Sequence, residues 1–141
     1  VAADAAGAHR RSLYMQQKRT QVLGMLESFD APSIVFSCTA RPSTTVPLQS
    51  LKLLNSEFVR GRAQGLARRV PRSAPENDAD VIDRVYLLTA GRKPTETERE
   101  LSLEFLRTQP QQYPDAPDAA DRAWIDYCHM LLAGNAFLYV E

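Results

Sequence analysis

The sequence predicts an all-α fold, four to five helices in an irregular bundle, with an extended N-terminal arm. Three observations predict it. Apolar residues recur at three- and four-residue spacing through a central stretch that opens with Pro47. A helix stop and a helix start sit back to back at Gly91-Arg92-Lys93-Pro94-Thr95. Near the C-terminus, Trp124, Tyr127, Cys128, Leu131 and Leu132 form a regular apolar stripe.

The central stretch is expected to form one long amphipathic helix over residues 47–70. Proline is tolerated in a first turn, whose N–H groups lack partners anyway. Thr45 offers a hydroxyl to those groups, and Gln49 is placed to reach back as in a capping box. Leu48, Leu51, Leu54, Phe58 and Val59, continued by Ala63, Leu66, Ala67 and Val70, read as the buried stripe. Lys52, Glu57, Arg60, Arg62, Arg68 and Arg69 read as the exposed side, and Gly61 and Gly65 as sites of close packing. Asn55 falls on the apolar side, where a polar side chain must find partners or cost about 1–3 kcal/mol. It is expected to tie a neighbouring loop to the helix.

The other elements follow from their punctuation. Residues 1–8 read as a frayed lead-in and 9–15 as an extended segment. Val22 to Phe29 suggests a short helix that ends near Asp30-Ala31-Pro32, because a residue before proline avoids the helical region. Ile34, Val35 and Phe36 are expected at the core edge, and residues 71–80 form a proline-rich connector. Asn77 or Asp78 starts a helix with Val81, Ile82, Val85, Tyr86 and Leu88 apolar, closed by Gly91. Thr95 to Glu98 is a capping box, opening a helix with Leu101, Leu103, Phe105 and Leu106 inside. Three prolines make 108–118 a loop. The last helix covers about 119–133, and Phe137 to Val140 is expected to pack back.

A chain of 141 residues suffices for one domain, 1–141, that buries a core without metal or disulfide staples. Seventeen basic and seventeen acidic residues cancel, so no global field draws the chain to nucleic acid or an anionic membrane. Acids interleaved with the arginines argue against a continuous basic stripe. There is no run of about 18 apolar residues, so membrane insertion is not expected. The N-terminus lacks both the apolar core of a signal peptide and an initiator methionine, which reads as a piece of a longer protein. Oligomeric state has no signal in the sequence.

No reaction is legible. Covalent haem attachment needs Cys-x-x-Cys-His, and before Cys128-His129 the first cysteine's place is taken by Ile125. The chain itself is therefore expected to carry no cofactor. Two cysteines and two histidines without paired spacing do not make a zinc site. Composition alone would set His9 or His129 beside Cys38 as a nucleophilic dyad, and no spacing supports it. Cys38 and Cys128 read as buried thiols or, in an oxidising compartment, as a pair. His129 reads as a border residue of the last helix.

Several motifs in order resemble a known family: RRSLY (Arg10–Tyr14), FDAP (Phe29–Pro32), Cys38 followed by R-x-STT-x-PLQSL-x-LLN (Arg41–Asn55), GR-x-PT-x-x-E (Gly91–Glu98) and CH-x-LL-x-x-N-x-FLYV (Cys128–Val140). Over residues 9–141 the chain resembles the C-terminal part of the planctomycete-type domain of unknown function 1553. In that family the domain closes large secreted proteins that often begin with a cytochrome-c-like domain. The resemblance thus implies an extracytoplasmic place, upstream domains of the same polypeptide as partners, and c-type haem in such an upstream domain. It also favours a Cys38–Cys128 disulfide, and it implies no catalytic residue. Met15–Arg19 and Glu57 depart from the family pattern.

Two functions are weighed. One is a non-catalytic structural or interaction module of a large secreted, haem-domain-associated protein, supported if an apolar patch lies around residues 9–36. The other is part of the active site of an extracytoplasmic enzyme acting on polysaccharide or in electron transfer. That needs Arg11, Arg41, Asn55 or Arg92 to converge in a pocket beside a perturbed acid or base.

Overall fold

A computed structural model describes residues 14, 24–32, 39–40, 44, 47–72 and 78–138. Among the described residues there is no strand, and no helix is long and apolar enough to cross a membrane. The fold is all-α. It divides into two compact units, residues 1–55 and 56–141. The expected N-terminal arm and the Ile34–Phe36 segment lie outside the described residues.

The first unit holds α1 (Gly24–Ser28) and α2 (Pro47–Leu54). The short helix expected here does end before Pro32. Phe29 and Asp30 turn the chain, with Asp30 at φ 55°, a left-handed conformation that aspartate tolerates better than most residues.

The second unit holds α3 (Glu57–Arg69), α4 (Asp78–Thr89), α5 (Glu96–Thr108), α6 (Ala119–Ala133) and the short α7 (Asn135–Leu138). The single helix expected over 47–70 is therefore two. Asn55 keeps its backbone N–H on Leu51 O but turns its side-chain amide onto that same carbonyl, at 3.0 Å. Ser56 is extended, and its Oγ accepts the Val59 N–H to cap α3. Asparagine and serine both offer the backbone such alternatives to helix, and together they stop one helix and start the next.

In this unit α3 packs along α6, with α4 and α5 also against α6. Small residues allow the close approach: Ala63, Ala67 and Ala123 are all buried. Trp124 Nε1 donates to Ala67 O at 3.2 Å, so the indole is satisfied on the facing helix. Tyr127 stacks on Trp124 with ring centroids 5.5 Å apart and meets Phe105 at 5.9 Å. Val70, Ile82, Val85, Leu106 and Cys128 complete the core.

The expected boundaries of α4, α5 and α6 hold. Their faces hold less well. Leu101 is 65% exposed and Leu103 38%, because α5 turns Ser102 and Leu106 inward instead. Leu88 is also exposed. The loop after α5 contains a 3₁₀ turn (Gln109–Gln112). Phe137 on α7 is 45% exposed, and Tyr139 and Val140 of the stretch expected to pack back lie outside the described residues.

Candidate functional site

Among the described residues of the second unit, polar side chains gather in the Arg72–Asp78 fork at the start of α4 and in three further places. The first is the corner between α4 and α5. Gly91 takes φ 69°, which only glycine adopts without strain, and so ends α4. Thr95 Oγ1 accepts the Glu98 N–H while Glu98 Oε2 accepts the Thr95 N–H, a complete capping box. Arg92 forks onto Glu98, Nη1 to Oε2 at 2.7 Å and Nη2 to Oε1 at 2.8 Å, and lies over the Tyr86 ring. The Arg92 guanidinium holds the Glu98 carboxyl down to about 2. Asp83 on α4 receives Arg99 at 2.8 Å and Lys93 at 3.6 Å, closing the corner from the other side.

The second place is buried. Tyr127 donates to Ser102 Oγ at 2.8 Å, and the Ser102 hydroxyl in turn donates to Glu98 O at 2.6 Å. Burial pushes the Tyr127 and Tyr86 hydroxyls up, so both stay protonated and Tyr127 remains a donor. The third place is at the foot of α6. Tyr113 donates to Asp126 Oδ2 at 2.5 Å and Gln109 Nε2 donates to the same oxygen at 3.1 Å. Arg122 lies over the Tyr113 ring and pairs with Asp118, whose carboxyl it holds low. Nothing in the sequence spacing singled out Asp126; the only signal was its position one turn after Arg122 on an otherwise apolar helix.

The first unit carries a different feature. Gln49, on α2, is only 4% exposed, and its Nε2 donates to Ser28 O and Thr44 O, both at 3.0 Å. Asp30 accepts the Thr44 N–H and hydroxyl, and Lys52 donates to Gly24 O and Ser28 Oγ. With its polar residue inward, α2 turns leucines outward. Leu48 is 68% exposed, Leu51 54% and Leu54 50%. Sequence reading had these three, with Phe58, as the buried stripe. The inversion follows from Gln49, whose two carbonyl acceptors can be reached only from the packed side.

The residues singled out from sequence do not come together. Asn55 is exposed, not buried as expected, and is held by its own helix. Arg92 is held by Glu98 and by Lys93 O. His129 is half-buried on α6. Cys128 is a free thiol, fully buried, and burial pushes it up to about 12. Arg11, Arg41, His9 and Cys38 lie outside the described residues. Among the described residues no three His, Cys, Asp or Glu side chains gather as metal ligands. Gly61 and Gly65 were expected at a close contact, yet a Cβ built on either meets nothing within 4 Å.

No curated protein and no solved structure matches the chain. A family model does: PSD1, described as "Protein of unknown function (DUF1553)", matches residues 2–106. The matched span contains α2 and the whole Gly91–Glu98 corner, so the GR-x-PT-x-x-E motif is a helix stop, an arginine fork and a capping box in one turn. The chain belongs to the DUF1553 family.

Proposed function

We propose that this chain is a non-catalytic packing module of a larger extracytoplasmic polypeptide, and that α2 is the seam on which upstream parts of that polypeptide dock. The outward line of Leu48, Leu51 and Leu54 carries this reading. A helix that hides a glutamine and presents three leucines is built to be covered. Covering the remaining surface of each leucine contributes on the order of 1 kcal/mol, about two orders of magnitude in affinity for the three together. The resemblance to secreted proteins with a cytochrome-c-like domain supports the extracytoplasmic place and c-type haem in the upstream part. Covalent haem attachment in this chain itself has no support from its residues, because Cys128 is buried in the core and Ile125 stands where a second cysteine is required.

The apolar patch once expected around residues 9–36 falls mostly outside the described residues, and α2 takes its place in the reading. The enzyme alternative has no such support, since Asn55 is engaged by its own helix and Arg92 by Glu98 on α5. Carbene footprinting tests the seam. The three leucines should label strongly in the isolated chain and be protected in the longer polypeptide. Equal labelling in both would remove the proposal.

A further inference from the structure

We propose that the second unit binds a second copy of itself, the outward face of α3 lying antiparallel on the outward face of α5 of the other copy. The charges come first. Arg72, Arg92, Lys93, Arg99, Arg107 and Arg122 all pair with carboxylates. Among the described residues, Arg60, Arg68 and Arg69 on α3 are exposed and join no ion pair. On α5, Glu96 and Glu100 are likewise exposed and join none. Glu57 on α3, Asp80 and Arg84 on α4 and Asp121 on α6 are exposed and in no ion pair too, but among the described residues only α3 carries three such cations and only α5 two such acids without a cation among them.

The spacing matches as well. Arg60 and Arg68 are eight residues apart, as are Glu104 and Glu96, about 12 Å along either helix. In an antiparallel alignment that sets Arg68 against Glu96, Arg60 falls opposite Glu104 and Glu57 opposite Arg107. These three cross-pairs are each opposite in sign: Arg68 and Glu96 are both without an ion pair of their own, Glu104 and Arg107 exchange their mutual pair for Arg60 and Glu57, and Arg69 and Glu100 meet the uncharged Thr95 and Gln64. The N-terminal end of each helix lies beside the C-terminal end of its neighbour, which the helix dipoles favour. The same register brings the half-exposed Leu103 over Gly61, where nothing lies within 4 Å. An exposed glycine within a helix is less favourable than alanine, and this chain's own packing uses neither Gly61 nor Gly65. A neighbouring helix that needs room for Leu103 does use Gly61.

This contact lies wholly in the second unit and is independent of the α2 seam. The test is sedimentation velocity on the whole chain over a concentration series at low and high salt, with far-UV circular dichroism to confirm folding. The chain should associate reversibly, less at high salt. Arg68→Glu and Glu96→Arg should each weaken association about tenfold, and the double reversal should restore it. Gly61→Leu, which meets open space in the monomer, should keep the fold and abolish association. A monomer throughout the series, association indifferent to the reversals, or a double reversal no better than the singles would each overturn the proposal.

Discussion

Replacing Glu98 with glutamine tests whether the α4–α5 corner is held by charge. Glutamine keeps the shape and one capping acceptor. It loses the ion pair with Arg92, whose Nη1 lies 2.7 Å from Oε2. The carboxyl is lowered from 4.5 to about 2, which at about 1.4 kcal/mol per unit gives nominally about 3.5 kcal/mol. Arg92 is nearly half exposed, so solvent screening reduces this to about 1–2 kcal/mol. A carboxyl whose folded value is depressed stabilises the fold above its unfolded value and loses that contribution as pH falls toward the folded one. Urea unfolding of both proteins should therefore show Glu98→Gln weaker by about 1–2 kcal/mol at pH 7. That gap should close between about pH 4.5 and 2. Equal stability at pH 7, or a gap unchanged at pH 2, would refute the account of the corner.

Ser102→Ala leaves the buried Tyr127 hydroxyl without its acceptor and should cost about 1–3 kcal/mol in the same assay. Adding Tyr127→Phe to Ser102→Ala should cost clearly less than the two single changes summed, because they share one hydrogen bond. Native Cys128 should resist thiol alkylation at pH 8, being fully buried with its thiol pushed up to about 12. In denaturant without reductant it should then react as the free thiol it is here, read by intact mass. Labelling only after reduction would instead reveal a bridge to Cys38, the pairing open to it in an oxidising compartment.

Where local chemistry decides structure, the sequence was legible. Gly91, Thr95 and Glu98 specify a stop, a cap and a box within eight residues, and all three act as their types require. The stripe of α6 was equally readable, because Trp124, Tyr127 and Cys128 are too apolar to face water together. The central stretch was misread for two reasons. Periodicity counts leucines, and cannot know that Gln49 has two carbonyls waiting from Ser28 and Thr44. It also passes smoothly over Asn55-Ser56, where side-chain hydrogen bonds break the helix. On α5 the same limit applies: Leu101 and Leu103 are apolar, but the inward position went to Ser102 because Tyr127 needs it. The polar groups at Asp126 and Ser102 depend on partners more than a dozen residues away, which no local pattern displays.

The outward leucines of α2 are the centre of the account, and affinity measures them most directly. Isothermal titration would compare the chain with its Leu48→Ser, Leu51→Ser, Leu54→Ser variant, each against the upstream part of the polypeptide as a separate fragment. The variant should keep its fold, confirmed by circular dichroism, because each of the three side chains is half or more exposed. The account predicts that binding falls about a hundredfold. Unchanged binding with a folded variant would contradict the claim that this face is a docking seam.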